Sequence, residues 1–306
     1  MTRKSLLPAL LLAALVWIPF SAPAHADDAE DKASQAKVEA FLDSLQLQSG
    51  TIAVPKAQAT LNLTPGYSFL PAKDAQRVLT DLWSNPPDED VLGMIVPSRD
   101  PHVLLDNDSW AVVVTYTDEG YVSDEDASKV DYADMLKDMQ KADRDGNAER
   151  LKQGYPAVDL VGWAEPPHYD AASHKLYWAR DLKFRKGDGS EDGHTLNYDI
   201  RVLGRQGYLS LNAVAPIDQL AQVRADMPQV LAMTDFDAGQ RYADYNPRTD
   251  KLAAYGIGAL VAGGIAAKAG LFAKLGIMLL ALKKFIVLGI AAIGGLFAKL
   301  FKRKRA

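Results

Sequence analysis

The pattern of apolar and polar positions divides the chain into two apolar ends and a mixed middle. Residues 6–18 and 252–301 are almost wholly apolar. Between them, short apolar runs alternate with polar stretches rich in glycine and proline, which is typical of a folded domain built from helices and strands. This distribution predicts a folded central domain between two segments that meet a less polar environment.

Both helical and strand periodicities occur in the middle of the chain. Apolar residues recur at helical spacing in some stretches, while runs of β-branched and aromatic residues between turn signals indicate strands. The predicted helices are residues 30–46, 73–83, 132–152 and 217–233. The predicted strands are residues 51–54, 60–63, 91–96, 110–116, 157–164, 175–184, 195–203 and 208–215.

Short turn segments at 166–167, 187–193 and 204–207 join the last four predicted strands. Such short links suit antiparallel neighbours, because parallel strands need a longer crossover. We therefore expect a meander within an α+β fold, with a largely antiparallel sheet and flanking helices, rather than alternating β and α units. To this the C-terminal segment adds a transmembrane helix or a helical hairpin.

Charge is distributed as unevenly as hydrophobicity. All 39 acidic residues lie between Asp27 and Asp250, and residues 27–251 carry a formal charge of −16. From residue 252 onward the chain has nine basic residues and no acidic residue. A basic end favours contact with a membrane. The acidic domain would repel a phosphate backbone, so we expect no nucleic acid as a partner.

The chain contains no cysteine. This excludes disulfides, thiolate metal sites, cysteine nucleophiles and a lipid-modified leader cysteine. The stability of the acidic domain must therefore come from its core, and a domain of this length can bury enough apolar surface for that purpose.

The N-terminus has the three parts of a secretory signal peptide. Arg3 and Lys4 supply the positive start, residues 6–18 the apolar stretch, and Ala24-His25-Ala26 a small-x-small cleavage site. We expect residues 1–26 to be removed on export. An uncleaved anchor helix is the alternative, although the short apolar run disfavours it.

The C-terminal apolar segment is long enough to enter a bilayer. A crossing helix needs about 20 apolar residues, and residues 252–273 and 275–298 both reach this length. The second stretch carries the Lys283-Lys284 pair near its middle, where each lysine costs about 2.5–3.5 kcal/mol. The positive-inside rule keeps the basic end in the cytoplasm, which favours one net crossing. A helical hairpin that returns the C-terminus outward is the alternative.

These features predict four segments in a protein of the inner membrane, with the acidic domain on the periplasmic side. The segments are a signal peptide at 1–26, an acidic α+β periplasmic domain at 27–251, a membrane anchor at 252–301 and a basic cytoplasmic tail at 302–306.

Three kinds of partner follow from this organisation. The lipid bilayer contacts residues 252–305, and a protein of the envelope is the expected partner of the acidic domain. Small residues at Ala259, Gly263 and Ala267 would let helices pack closely, so homo-oligomerisation is a further hypothesis. The alternative is that these residues only fill the membrane.

The sequence lacks the usual catalytic and cofactor motifs. It has no Gly-x-Ser-x-Gly elbow, no phosphate loop with Gly-Lys-Ser/Thr and no His-Glu-x-x-His helix. The acidic stretch 118–126 has enough carboxylates to bind Ca²⁺, but a solvated turn is the favoured interpretation. We therefore predict no cofactor and no metal site, and we assign no catalytic residue.

Residues 162–178 combine aromatic rings, two imidazoles and two carboxylates between two predicted strands. A hairpin loop can place such groups around a cleft, where a histidine would act as acid or base. The alternative is a turn that the tryptophans pin to the core while the histidines stay exposed. The candidate residues are Trp163, Glu165, His168, Tyr169, Asp170, His174 and Trp178.

Polar and apolar residues alternate along the next predicted strand. Asn197, Asp199 and Arg201 share one face, because strand side chains alternate between the two faces of a sheet. This face is either exposed or a binding surface. The candidate binding surface therefore also includes Asn197, Arg201 and the nearby Arg205.

Several longer strings are distinctive when they are taken together. They are Trp110-Ala-Val-Val-Val-Thr-Tyr116, Gly120-Tyr-Val122, Gly162-Trp-Ala-Glu-Pro-Pro167, His174-Lys-Leu-Tyr-Trp-Ala179, Leu196-Asn-Tyr198, Arg201-Val-Leu-Gly-Arg205 and Thr249-Asp-Lys-Leu-Ala-Ala-Tyr-Gly256. From about Gly66 into the tail, the chain resembles the uncharacterised membrane-anchored bacterial proteins of the family DUF2167. This resemblance implies a bacterial envelope protein with a membrane anchor, and it supplies no reaction and no catalytic residue.

Three functional hypotheses follow. The first is a non-enzymatic, membrane-tethered periplasmic module that binds a protein or an envelope component, since the domain is acidic and catalytic motifs are missing. The second is an envelope hydrolase that uses Glu165, His168, Asp170 and His174. The third is a component of an oligomeric membrane assembly, with the acidic domain as its regulator.

Overall fold

The computed structural model describes residues 26–262, apart from Ser84, Pro86, Gln153 and Tyr155. The predicted signal sequence up to residue 25, the predicted anchor from residue 263 and the basic tail lie outside the described residues. Within the described part, α1 belongs to one compact unit and everything from residue 45 onward belongs to a second.

The described residues form five α-helices. The helices predicted at 30–46, 73–83, 132–152 and 217–233 correspond to the first four. The second helix continues as a π-helical turn at Val78–Leu82. The α-helices are α1 (Ala26–Asp43), α2 (Ala72–Arg77), α3 (Tyr132–Lys152), α4 (Leu220–Ala232) and α5 (Ile257–Val261).

Most strands agree closely with the predicted ones. Four further short strands, at residues 68–71, 121–123, 234–236 and 252–256, have no predicted counterpart. In chain order, the strands of the described residues are β1 (Thr51–Val54), β2 (Ala59–Asn62), β3 (Ser68–Pro71), β4 (Val91–Val96), β5 (Ala111–Thr117), β6 (Tyr121–Ser123), β7 (Ala157–Asp170), β8 (Lys175–Arg185), β9 (Glu191–Leu203), β10 (Tyr208–Pro216), β11 (Thr234–Phe236) and β12 (Leu252–Gly256).

A seven-stranded antiparallel sheet of order β3-β4-β5-β10-β9-β8-β7 dominates the fold. Strands β7 to β10 are sequential antiparallel neighbours, so the predicted meander is confirmed. The strand β10 lies at the centre, paired with β5 on one side and with β9 on the other. The predicted α+β fold with a large antiparallel sheet and a few helices is therefore confirmed.

One face of this sheet packs against α4 and against a small antiparallel sheet of order β1-β2-β11. Because side chains alternate along a strand, every second residue of β9 points to this face. On α4 the matching residues recur at helical spacing, which gives the helix one apolar stripe. The contacting residues include Leu196, Tyr198, Ile200 and Val202 of β9 and Val223, Met227 and Val230 of α4.

Two apolar clusters cover the opposite face. In one, Leu136 and Met139 of α3 pack on a cluster of Val158, Leu160, Leu182 and Phe184 from β7 and β8. In the other, β6, β12 and α5 contribute Val122, Ala253, Ile257, Leu260 and Val261, which meet Leu176, Trp178, Leu203 and Tyr208.

A buried polar network lies on this second face. Asp199 is 1% exposed and accepts hydrogen bonds from Arg180 at 3.2 Å and 2.7 Å. Its other oxygen lies 3.4 Å from the Arg201 guanidinium and accepts a 2.9 Å bond from Asn212. A buried charge needs such partners because desolvation costs several kcal/mol. The polar face of Asn197, Asp199 and Arg201 was expected to be exposed or to bind a ligand, but the structure buries it.

The folded unit continues past residue 251. The strand β12 runs parallel to β6, and Ile257, Leu260 and Val261 are at most 2% exposed. The Asp126 carboxylate accepts a 2.9 Å hydrogen bond from the Ile257 amide at the start of α5. Residues 252–261, whose apolar character suggested the beginning of the anchor, therefore belong to the folded domain. Among the described residues, no helix has both the length and the hydrophobicity that crossing a membrane requires.

Candidate functional site

A cleft of about 460 Å³ lies between α4 and the strands β7, β8 and β9. We call it the α4 cleft. The helix contributes Arg224, Met227, Pro228 and Leu231 to its lining, and the sheet side contributes Glu165, Asp170, Lys175, Tyr177 and Tyr198.

Local structure explains why these residues share one side of the sheet. Lys175 and Tyr177 are two residues apart on β8 and therefore point to the same face, while Trp178 points to the other. The register of β7 shifts between Trp163 and Glu165 and again between Glu165 and His168. Such irregularities change the direction in which the side chains of the strand point.

An ion pair stands at the edge of the α4 cleft. The Nε of Arg224 donates a 2.7 Å hydrogen bond to Glu165 Oε2, and the Arg224 side chain is 56% exposed. An exposed pair of this kind typically contributes only about 0–1 kcal/mol to stability. The pair therefore contributes little to holding the fold.

Asp170 is held within the turn that joins β7 to β8. Its carboxylate accepts hydrogen bonds from the Ser173 hydroxyl at 2.5 Å and from the Ala172 amide at 2.9 Å. These bonds hold the pKa of Asp170 below its usual range. At neutral pH the carboxylate is therefore ionised and engaged by the turn.

The two tyrosines of the cleft keep their protons. Burial raises the pKa of Tyr198, and the neighbouring Glu165 carboxylate raises it further. Burial also raises the pKa of Tyr177, with contributions from Asp170 and Glu165. Both phenols are therefore hydrogen-bond donors at neutral pH.

A second cleft of about 470 Å³ adjoins the first. Lys175, Ser173, Leu231 and Ala232 line both clefts, so they form the boundary between the two. The second cleft continues past His174, Tyr242 and Arg241, and Arg241 pairs with Asp235 at 2.9 Å.

His174 belongs to an aromatic cluster on the far side of the hairpin. Its ring stacks on Tyr242 with 4.2 Å between the ring centroids, and its Nδ1 lies 3.2 Å from Tyr169 Oη. Tyr169 donates a 2.7 Å hydrogen bond to Asp124. His174 has a φ of 52°, a left-handed conformation that costs a non-glycine residue roughly 1–2 kcal/mol.

The structure does not gather the four residues of the hydrolase hypothesis into one cluster. Glu165 and Asp170 line the α4 cleft, His174 lies in the aromatic cluster, and His168 is exposed with its ring 5.1 Å from that of Tyr177. Within the described part of the chain, no hydrogen bond or ion pair joins any two of these four side chains.

The remaining predicted site residues have structural partners. The Trp163 indole donates to the Tyr132 carbonyl at 3.2 Å, and Trp178 is buried with the Arg201 guanidinium 4.9 Å above its ring. The Arg205 guanidinium donates hydrogen bonds of 2.7 Å and 2.9 Å to the two carboxylate oxygens of Asp250, which lies just before β12.

The residues that sequence reasoning missed come mainly from α4. Arg224, Met227 and Leu231 lie three and four residues apart, so they share one face of a helix. This spacing indicates a shared helix face, but spacing along one helix does not show which strand lies opposite it. Lys175 was missed because it looks like an ordinary strand-end lysine.

The residues from 26 to 262 that the structure describes contain no group of three or more His, Asp or Glu side chains arranged to hold a metal ion. In the acidic stretch 118–126, Asp124 and Asp126 instead bind Tyr169 and the α5 amides.

Comparisons with known proteins place the chain in a family. No curated protein matches it. Among solved structures, that of cyanobacterial PsbP (CyanoP) from Synechocystis sp. PCC 6803 is similar at 14% identity and a TM-score of 0.34, over 63% of this chain and 93% of that one. A family profile described as protein of unknown function (DUF2167) matches residues 46–294. The chain therefore belongs to the DUF2167 family.

Proposed function

We propose that the chain is a membrane-anchored envelope protein whose domain lies in the periplasm and binds a partner in the α4 cleft. The partner is a protein or another envelope component. The observation that carries this proposal is the cleft itself, which places charged side chains, protonated phenols and apolar α4 side chains around one opening.

The chemistry of the lining supports binding rather than a purely structural role. Pockets that bind ligands combine apolar walls with a few fixed polar groups. Met227, Pro228 and Leu231 provide the walls, while Lys175 and Tyr177 provide the polar groups. The exposed Arg224–Glu165 pair contributes little to stability and is available to the partner.

The proposed anchor is shorter than the apolar character of the tail suggests. Residues 252–261 are part of the folded domain, so the anchor that we propose lies within residues 262–301. We propose one net crossing, with residues 302–306 in the cytoplasm as the positive-inside rule favours.

Photocrosslinking in living cells tests the cleft as a binding site. A photoreactive benzoylphenylalanine replaces Ala232, which lines both clefts. The matched control replaces Ala225, an exposed alanine of the same helix that lines neither cleft. We expect a light-dependent adduct from position 232 and little from position 225. Equal yields from both positions, or none from position 232, would refute the proposal.

The topology is tested with single cysteines, since the chain has none of its own. A cysteine at Lys141 on α3 should react with a membrane-impermeant maleimide in intact spheroplasts. A cysteine at Ala306 should react only after the membrane is opened. Labelling of both positions from outside would instead support the hairpin alternative.

A further inference from the structure

The last elements of the folded domain have the apolar character of a membrane segment. Residues 252–267 form the longest run without a charged residue in the C-terminal segment, and the next longest is 285–298. The structure folds residues 252–261 into the domain as β12 and α5. The same residues therefore suit two environments. We call residues 252–261 the strap.

Few polar contacts attach the strap to the domain. Among the described strands, β12 pairs only with β6, and the register shifts between Leu252 and Gly256. The Asp126 carboxylate accepts hydrogen bonds from the amides of Ile257 at 2.9 Å and Gly258 at 3.4 Å. Helix α5 spans five residues, and so short a helix is unstable unless it packs against other elements. Asp126 is therefore the polar contact that fixes the start of α5.

Apolar side chains provide most of the docking surface. Ile257, Leu260 and Val261 are at most 2% exposed, and they share one cluster with Trp178. Among the described residues of this cluster, the Trp178 indole N–H and the Tyr132 hydroxyl are buried without a hydrogen-bond partner. Unpaired buried polar groups lower stability. Docking therefore gains a burial that hydrocarbon would supply as well, in a cluster that leaves polar groups unpaired.

The sequence allows the strap to extend a membrane-crossing helix. Residues 252–273 reach the length of about 20 that a crossing needs, and their one charged residue, Lys268, lies towards the end. The chain has no proline after Pro247, so no proline would break this helix. Glycine is more frequent in membrane helices than in soluble ones. While the strap is docked, the anchor instead draws on residues 262–301, whose longest uncharged run is shorter than 252–267.

We propose that the strap exchanges between the folded domain and the bilayer. In the docked form it packs on Trp178, Leu203 and Tyr208. In the released form it extends the anchor as a helix that begins near residue 252. Tyr242 belongs to the same cluster and lines the second cleft, so release should loosen one wall of that cleft. This inference rests on the membrane anchor of the proposed function.

Lipid quenching of a fluorophore tests the exchange, since single cysteines can be placed in a chain that has none. The dye NBD is attached to the full chain through Ala259→Cys in α5 or through Ala292→Cys in the proposed anchor. Each protein is reconstituted in phosphatidylcholine vesicles with or without nitroxides on the lipid acyl chains. These nitroxides quench a dye in the hydrocarbon but not a dye held in the folded domain. The dye at position 292 should be quenched in every variant.

Asp126→Ala should release the strap. A hydrogen bond to a charged group is worth tenfold or more in an equilibrium constant, so the exchange should shift at least about tenfold towards the released form. Quenching at position 259 should rise accordingly. Asp126→Asn keeps one acceptor oxygen and should give an intermediate value. Glu125→Ala, at the exposed neighbouring position, is the matched control and should match wild type. Circular dichroism of the same vesicles checks that each variant keeps the folded domain.

The outcomes separate this inference from the proposed function. Equal quenching at position 259 in Asp126→Ala and Glu125→Ala would overturn the exchange. Faster hydrogen exchange of the strap in Asp126→Ala without added quenching would also overturn it, because the strap would then open into water. In both cases, quenching at position 292 leaves the anchor standing. If neither position is quenched, the anchor of the proposed function fails together with the exchange.

Discussion

Asn147 on α3 pairs with the backbone of Val158 on β7 as a neighbouring strand would. Its Nδ2 donates to the Val158 carbonyl at 3.0 Å, and its Oδ1 accepts from the Val158 amide at 2.8 Å. The strand β7 is the edge of the large sheet. Gln140 adds a 3.0 Å bond to the Val161 carbonyl. An exposed edge strand is a template for unwanted pairing, so the polar stripe of α3 protects this edge.

Asn147→Ala should destabilise the domain by about 2–6 kcal/mol. It leaves the amide and the carbonyl of the buried Val158 without partners, and each unpaired buried group costs about 1–3 kcal/mol. Urea denaturation of the full chain in mild detergent measures the change. Gln140→Ala is the control, since it removes one bond at the surface and should cost less than about 1 kcal/mol. Equal losses in both variants would contradict this role of α3.

Asp199→Ala should destabilise the domain to a similar degree. The substitution leaves Arg180 and Arg201 charged and unpaired in the interior, and breaking a buried pair costs about 3–5 kcal/mol. For a domain of this size, the melting temperature should fall by roughly 6–20 °C. Asp138→Ala at an exposed position of α3 should leave the melting temperature nearly unchanged. A comparably small shift for Asp199→Ala would mean that the network is not structural.

The Arg205–Asp250 ion pair predicts a specific dependence of stability on pH. The hydrogen bonds from Arg205 hold the pKa of Asp250 well below its usual range. A carboxyl group with a lowered folded-state pKa stabilises the fold above the unfolded pKa of about 3.9, and this contribution disappears as the pH falls further. The difference in melting temperature between wild type and Asp250→Asn should therefore be largest near pH 7 and shrink below about pH 4. A difference that is as large at pH 2.5 as at pH 7 would rule out this linkage.

Asp126→Ala should loosen the C-terminal end of the domain without unfolding the rest. The carboxylate accepts hydrogen bonds from the Ile257 amide at 2.9 Å and the Gly258 amide at 3.4 Å. Hydrogen exchange of residues 252–262 should become faster in this variant, because few other polar contacts hold α5 in place. Glu125→Ala, at the exposed neighbouring position, should leave the exchange unchanged. If the two variants behave alike, Asp126 does not fix α5.

The Arg224–Glu165 pair should affect binding more than stability. Arg224→Ala removes the exposed cation at the edge of the α4 cleft, so it should lower the photocrosslink yield from position 232 severalfold. Glu165→Gln leaves Arg224 charged and should retain the yield. Both variants should unfold within about 1 kcal/mol of wild type, as exposed ion pairs do. A larger loss of crosslink yield in Glu165→Gln than in Arg224→Ala would exclude this electrostatic role.

Much of the fold was predictable because local signals are strong in this sequence. The bounds of α3 and of the strands β1 and β4 match the periodicity and the turn signals that surround them. The alternation along β9 correctly separated Tyr198 and Ile200 from Asp199 and Arg201. Alternation does not show what covers each face of a strand. The polar face of β9 is buried because α3 and the C-terminal elements cover that side of the sheet.

The site was harder to predict because its members are distant in sequence. The predicted strands 157–164 and 175–184 leave a hairpin loop between them, but β7 extends to Asp170 and only the turn at 171–174 separates it from β8. Strand geometry then sends Lys175 and Tyr177 to one face and places His174 among Tyr169, Asp124 and Tyr242. Long-range partners of this kind carry no local signal.

Hydrogen exchange of the full chain in membrane vesicles tests the α4 cleft most directly. Exchange is measured by mass spectrometry with and without the soluble envelope fraction of the same cells. Binding in the cleft should slow exchange in α4 (Leu220–Ala232) and in the turn at 171–174, and α3 should remain unchanged. Protection confined to other elements, or no protection where a partner demonstrably binds, would show that the α4 cleft is not the binding site.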